Sequence, residues 1–174
     1  MGEHTKIAVM GVSGRMGQML VQAVSESKNG QLIGATERAG HEWIGQDLGE
    51  AMGGKPLGVI VRDNPLDALQ HAHALLDFTT PAATTANAEI AAQVRAAHVI
   101  GTTGLSSTDY DFLAAAARPA PIIQSGNFSL GVNILTQLTK QVAAALNDDF
   151  AIEVMEMHHR HKVDAPSGTA LMLG

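Results

Sequence analysis

Five consecutive residues late in the sequence can each carry a positive charge: His158, His159, Arg160, His161 and Lys162. The chain has 174 residues and a formal net charge of −6, and a cationic run costs self-repulsion unless an anion compensates for it. Imidazole and ammonium groups also transfer protons, so this run is a candidate for acid–base chemistry. A solvated basic turn is the alternative interpretation.

A helix is predicted to begin shortly after this run. Ser167 is a suitable N-cap residue, and Gly168 and Thr169 would then lie in the first helical turn. The start of a helix presents backbone N–H groups to a carboxylate. Cations beside a helix N-terminus therefore predict a binding site for a small di-acid.

A glycine-rich segment near the beginning of the sequence is a candidate for binding a nucleotide. Residues 11–17 have the sequence GVSGRMG and lie between a predicted strand and a predicted helix. Glycines let the backbone turn sharply and approach a pyrophosphate, to which the helix N-terminus offers N–H groups. The spacing is G-x-x-G-x-x-G rather than the commoner G-x-G-x-x-G, so an ordinary turn is the alternative.

Two charged residues follow the second predicted strand. Glu37 lies about 20 residues after Gly17, where dinucleotide-binding folds place an acid that binds the ribose hydroxyls. Arg38 comes next, and a guanidinium at this position can bind the 2′-phosphate of NADP. A solvated Glu–Arg pair is the alternative. The presence of both residues suggests that NADH and NADPH can each be accepted.

Three further loops are predicted to follow strands of the same sheet. They comprise residues 78–81, 101–104 and 125–128. Because open α/β sheets bind ligands at the carboxyl ends of their strands, these three loops could line one cofactor cleft. Ordinary strand-to-helix connections are the alternative.

Strands and helices alternate over the first 126 residues, which predicts βαβ units and a parallel sheet. The predicted elements are strands at 7–10, 31–36, 58–61, 74–78, 98–100 and 121–124, helices at 15–27, 81–97 and 106–117, and a long loop at 38–57. A long helix at 127–146 and a half-exposed strand at 151–157 then follow. We therefore expect an α/β fold, with a Rossmann-type sheet covered by helices on both faces in residues 1–126 and the start of an α+β domain in residues 127–174.

Composition argues against several classes of protein. Aromatic residues make up 3% of the chain and no long run of Lys and Arg occurs, so we expect no nucleic-acid binding. No segment is apolar for the ~18 residues that a membrane span needs, so we expect no membrane association. The chain has no cysteine and no H-E-x-x-H pattern, so we expect no metal site. No signal-peptide core opens the sequence, which favours the cytoplasm.

The segment that starts at residue 153, EVMEMHHRHKVDAPSGTA, is similar to the signature of the dihydrodipicolinate reductase family. The family's other motifs, G-x-x-G-R-M-G, D-F-T-x-P, G-T-T-G and S/A-x-N-F/M-S-x-G-V-N, occur in order at 11–17, 77–81, 101–104 and 125–133. The resemblance covers the whole chain, and its HHRHK block is highly specific. It implies that NADH or NADPH reduces a cyclic unsaturated di-acid to tetrahydrodipicolinate, in lysine and diaminopimelate synthesis.

The resemblance also implies roles for individual residues. His158 takes the acid/base position, Lys162 takes the proton-donor position, and His159 contacts the substrate. Gly168 and Thr169 hold a substrate carboxylate. The residues implied to hold the cofactor are Gly11, Val12, Ser13, Gly14, Arg15, Met16, Glu37, Arg38, Gly101, Thr102, Thr103, Ser125, Gly126, Asn127 and Phe128.

Length leaves other interpretations open. Members of the family carry a further segment that completes the substrate and tetramerisation domain, so we expect this chain to be truncated and the full-length protein to be a homotetramer. A nucleotide-binding fragment without turnover is therefore one alternative. Another Rossmann-type NAD(P)-dependent dehydrogenase is the second, although the HHRHK block argues against it.

Overall fold

The computed structural model describes residues 4–146, 150–160 and 165–174. It divides into two compact units, Met1–Gln124 and Ser125–Gly174. The domain boundary expected from the sequence falls two residues later, after Gly126. His161 and Lys162, two members of the cationic run, lie outside the described residues.

The first unit is built on a six-stranded parallel sheet, as the alternation of elements predicts. Its strands are β1 (Thr5–Met10), β2 (Gly30–Thr36), β3 (Val61–Arg62), β4 (Ala74–Asp77), β5 (Ala97–Ile100) and β6 (Ile122–Gln124). Their order across the sheet is β3-β2-β1-β4-β5-β6, which is the doubly wound Rossmann order. Strands β2 and β3 lie on one side of β1, and strands β4 to β6 lie on the other, so the strand order reverses between β1 and β4. Ligands of such folds bind at this switch point.

Helices cover both faces of this sheet. They are α1 (Arg15–Glu26), α2 (Leu48–Ala51), α3 (Pro65–Leu69), α4 (Pro81–Val94) and α5 (Ser107–Ala116). The side chains of β1 alternate between the two faces, because successive residues of a strand point to opposite sides. Val9 packs in one buried cluster with Val21 of α1, whereas Met10 packs in a second cluster with Leu69 of α3. The expected Rossmann-type sheet with helices on both faces is therefore confirmed.

Three local predictions differ from the structure of the first unit. The loop predicted at 38–57 contains α2, because the carboxylate of Asp47 caps a helix by accepting from Gly49 N and Glu50 N. The third strand was predicted at 58–61 but lies at Val61–Arg62, because Gly58 adopts a left-handed φ of +73° and Ile60 forms an isolated antiparallel bridge. Helix α3, which the Asn-Pro pair at 64–65 begins, was not predicted.

The second unit contains α6 (Leu130–Ala145) and α7 (Gly168–Leu173) in its described residues. The side chain of Ser129 caps α6, and Ser167 caps α7 as the sequence predicts. The prediction of a strand at 151–157 is wrong, because these residues form neither a strand nor a helix. A strand needs a neighbour for its backbone N–H and C=O groups, and the described part of this unit contains no strand that could pair with it. Across the described residues, no helix combines the length and apolar character that crossing a membrane requires.

Candidate functional site

A cleft of about 600 Å³ opens at the carboxyl ends of the strands in the first unit. It lies beside the switch point, where the ends of β1 and β4 separate. Its lining residues are Met10, Gly11, Ser13, Gly14, Thr36, Glu37, Arg38, Asp63, Pro65, Phe78, Thr79, Thr80, Ala83, Ala86 and Asn87. The cleft therefore brings together the glycine-rich turn, the Glu37–Arg38 pair and the loop after β4.

The glycine-rich turn is held close to both neighbouring elements. Gly11 has a φ of +67°, and its N–H and that of Val12 donate to Thr36 O at 2.9 and 3.1 Å. A Cβ atom added at Gly17 would lie 2.2 Å from Gly11 O, so only glycine allows α1 to approach the turn this closely. The first and third glycines of the motif thus have the conformational and packing roles that the fingerprint assigns to them.

The N-terminus of α1 has no side-chain cap. Its N-cap residue is Gly14, which has no side chain, whereas a side chain caps each other helix of the described residues. A helix leaves its first four backbone N–H groups without intrahelical partners, and together they carry a partial positive charge. The first turn of α1, directly after the glycine turn, therefore presents backbone N–H donors that suit a phosphate group.

Glu37 links the end of β2 to the glycine turn. Its two carboxylate oxygens accept from Ser13 N and Arg38 N, both at 3.0 Å. Burial raises the pKa of Glu37, but these backbone hydrogen bonds, aided by a Ser13 side-chain bond and the nearby His41, lower the pKa more, so the net shift is downward. Glu37 is therefore an anion at neutral pH, with its position fixed beside the turn.

Arg38 has an exposed side chain that lines the same cleft. The described residues offer its guanidinium no ion-pair partner. It is therefore available to an external anion.

The other residues with predicted cofactor roles occupy several environments. The Val12 side chain is fully buried in the core, and Arg15 and Met16 are exposed in the first turn of α1. Residues 101–103 do not line the cleft, but they support its wall. Thr102 Oγ1 accepts from Thr79 N at 3.1 Å, and a Cβ atom at Gly101 would collide with the ring of Phe78.

A buried polar cluster beneath the cleft was not predicted. Asp77, at the end of β4, is fully buried with His98 of β5, and their Oδ2 and Nε2 atoms lie 3.1 Å apart. Asn87 of α4, which lines the cleft, also contacts this carboxylate. The signal available in the sequence was a carboxylate and an imidazole within two strands that otherwise contain apolar residues.

In the second unit, Glu156 connects His158 to the start of α7. Its carboxylate accepts from Ser167 N at 2.8 Å and from the Ser167 hydroxyl, and its Oε2 lies 3.5 Å from His158 Nδ1. The His158 side chain is 39% exposed, so the imidazole has an open side in addition to its contact with the Glu156 carboxylate. This arrangement suits a group that exchanges protons with a bound molecule.

The segment that follows β6 packs against the same helix start. Asn127 Nδ2 donates to Thr169 Oγ1 at 2.9 Å, and a Cβ atom at Gly126 would lie 3.0 Å from Gly168 O. The second unit thus brings together residues with predicted cofactor roles and residues with predicted substrate roles. His159 is exposed, and Lys162 lies outside the described residues.

Fold and cleft together define a Rossmann-type nucleotide-binding protein, and comparison with known proteins specifies the family. The family models for the dihydrodipicolinate reductase N-terminus and C-terminus match residues 5–128 and 131–174. The chain belongs to the dihydrodipicolinate reductase family.

Two curated relatives carry the name 4-hydroxy-tetrahydrodipicolinate reductase. The protein from Ruegeria pomeroyi is 62% identical over 97% of this chain and 62% of its own length. The protein from Dinoroseobacter shibae is 60% identical over the whole chain and 65% of its own length. The chain therefore spans slightly less than two thirds of these relatives.

Two solved structures are similar to this chain in fold. A dipicolinate-bound dihydrodipicolinate reductase from Paenisporosarcina sp. TG-14 matches with a TM-score of 0.73 and 30% identity, over 98% of this chain and 65% of that one. An amine dehydrogenase from Mycobacterium smegmatis matches with a TM-score of 0.65 and 23% identity, over 78% of this chain and 44% of that one. The second match supports the fold alone.

Proposed function

We propose that this chain belongs to an enzyme that reduces 4-hydroxy-tetrahydrodipicolinate to tetrahydrodipicolinate with NADH or NADPH, in lysine and diaminopimelate synthesis. Family membership and the names of the relatives support the reaction. The observation that carries the proposal is the uncapped N-terminus of α1, which faces a glycine turn beside the anionic Glu37. This arrangement provides donors for a pyrophosphate and an acceptor for ribose hydroxyls.

The first unit is proposed as the dinucleotide-binding domain. The N–H groups of α1 and the turn at Gly11 to Met16 would hold the pyrophosphate, Glu37 the ribose hydroxyls, and Arg38 a 2′-phosphate when one is present. Bound NADH or NADPH supplies the hydride. The further residues proposed to hold the cofactor are Gly101, Thr102, Thr103, Ser125, Gly126, Asn127 and Phe128.

The second unit is proposed as the beginning of a substrate-binding domain. His158 would exchange a proton with the bound di-acid, and the Glu156 carboxylate orients its imidazole through Nδ1. Lys162 would donate a proton. His159, Gly168 and Thr169 would bind the substrate, the last two through a carboxylate at the start of α7. Homotetramer formation and a cytoplasmic location stay predictions.

A direct absorbance assay, together with a titration of the cofactor, tests this proposal. Purified protein is mixed with NADH or NADPH and the cyclic di-acid, and loss of the reduced nicotinamide is followed by absorbance. We expect consumption that requires both components and saturates with each. Cofactor binding without consumption would instead support a nucleotide-binding fragment without turnover, and consumption that does not need the di-acid would contradict the proposed substrate.

A further inference from the structure

The carboxylate of Asp77 is fully buried and accepts hydrogen bonds on both oxygens. Its Oδ1 accepts from the Thr79 hydroxyl at 2.6 Å and from Thr79 N at 3.1 Å. Its Oδ2 accepts from Asn87 Nδ2 at 2.9 Å and lies 3.1 Å from His98 Nε2. One oxygen is therefore directed to the loop after β4, and the other is held by α4 and β5.

The protonation states follow from these contacts. Burial raises the pKa of Asp77, but hydrogen bonds from His98, Thr79 and Asn87 lower the pKa more, so the carboxyl is ionised at neutral pH. His98 Nε2 must then carry the proton that it donates to Oδ2. His98 Nδ1 is buried without a hydrogen-bond partner in the described part of the chain.

The contacts of Thr79 extend this cluster to the glycine turn. A Cβ atom added at Gly11 would lie 2.8 Å from Thr79 Cγ2, so the methyl group of Thr79 packs directly over the turn. Thr79 N also donates to Thr102 Oγ1, and Thr102 shares a 2.7 Å hydrogen bond with Thr84. Thr79 and Gly11 both line the cleft, whereas Asp77 and His98 do not.

We propose that the buried carboxylate of Asp77, held by His98 and Asn87, positions Thr79 against the glycine turn and thereby sets the affinity of the cleft for the dinucleotide. Asp77 is a positioning residue, because it reaches the cleft only through Thr79. The inference rests on the proposed function, since it takes the cleft to be the NADH or NADPH site.

The simplest alternative is that Asp77 has a purely structural role, in which its buried hydrogen bonds stabilise the fold and do not affect the cleft. Affinity and stability would then change together in any variant of the cluster. In a positioning role, affinity and stability can change separately. The Asp77 oxygen that faces Thr79 sets the affinity for the dinucleotide, whereas both oxygens contribute to stability.

The test compares Asp77→Ala, Asp77→Asn and Leu113→Ala by NADPH titration and thermal unfolding. Asp77→Ala removes both acceptors, and we expect the Kd of NADPH to rise about tenfold or more. Asp77→Asn keeps an oxygen for Thr79, so its Kd should stay within about threefold of wild type although its Tm falls. Leu113 is buried in α5 away from the cleft, and its truncation should lower Tm without changing Kd.

Thr79→Val keeps the test decisive if Asp77→Ala fails to fold. This variant retains the methyl group over Gly11 but loses the hydroxyl that Asp77 accepts, so its Kd should rise and that of Thr79→Ser should rise less. An unchanged Kd in Asp77→Ala or Thr79→Val, or an equal rise in Leu113→Ala, would overturn the inference. If the wild-type protein bound neither cofactor, the proposed function and the inference would fall together; normal binding by wild type and Asp77→Ala alike would remove the inference alone.

Discussion

The two units of this chain bury their apolar side chains to very different degrees. In the first unit, Val9, Leu75 and Ile100 are completely buried between the sheet and its helices. In the second unit, α6 has no buried residue, and Leu135 and Val142 each expose more than half of their surface. A sheet with helices on both faces closes its own core, whereas the described residues of the second unit leave most of the apolar surface of α6 open.

The same difference extends to the polar groups. Glu37 and Asp77 in the first unit each accept hydrogen bonds from fixed neighbours, and both have a lowered pKa. His158 in the second unit is partly exposed, and its Nδ1 lies 3.5 Å from the Glu156 carboxylate. We therefore expect substitutions in the first unit to change stability and cofactor affinity, and substitutions around His158 to change turnover.

Truncation of His158 should have the largest effect, because a positioned acid/base group is typically worth ~10²–10⁴ in rate. His158→Ala and Lys162→Ala should each lower kcat by about that factor, with cofactor Kd nearly unchanged. Steady-state kinetics and a cofactor titration give both quantities, with His71→Ala as a control on an exposed histidine of the first unit. A raised KM for the di-acid with a normal kcat would show that both residues bind the substrate carboxylates and take no part in proton transfer.

The contrast in burial predicts the next largest effect. Leu75→Ala removes a fully buried side chain and should cost about 2–5 kcal/mol of unfolding free energy. Leu135→Ala in α6, where the side chain is 55% exposed, should cost no more than about 0.5 kcal/mol. Urea unfolding of both variants measures the difference. Equal losses would show that the surface of α6 is covered in solution.

Arg38 should distinguish the two cofactors, because only NADPH has a 2′-phosphate. Arg38→Ala should weaken NADPH binding by about 1.5–3 kcal/mol and NADH binding much less. Arg118→Ala, at an exposed arginine outside the cleft, is the matched control in parallel titrations. Equal losses for both cofactors would show that Arg38 does not bind the 2′-phosphate.

The pH dependence of stability should show the smallest effect. Because the pKa of Asp77 is lowered in the folded state, its contribution is fully present above the unfolded Asp pKa of about 3.9. It is lost as the pH falls further, through the lower folded-state pKa. The stability difference between wild type and Asp77→Asn should therefore shrink below about pH 4, as measured by unfolding at several pH values. A difference independent of pH would mean that the Asp77 charge does not stabilise the fold.

Sequence periodicity predicted the first unit well and the second unit less well, because periodicity reports on an element only where that element packs against the rest of its own unit. The buried strands and the helix after the glycine turn carry apolar residues at the spacing that packing in the sheet requires. Residues 7–36 and 74–124 could therefore be assigned closely. The strand predicted at 151–157 depends on a partner that periodicity cannot supply. The buried contact between Asp77 and His98 was not predictable either, since it depends on the register of β4 and β5.

Hydrogen exchange can show whether the N-terminus of α1 binds the dinucleotide. Backbone amides of Arg15, Met16 and Gly17 are followed with and without saturating NADPH, together with those of α6 as an internal reference. We expect exchange at these three amides to slow by about tenfold or more while exchange in α6 is unchanged. NADPH binding that leaves the three amides unaffected, or slows exchange only in α6, would contradict it.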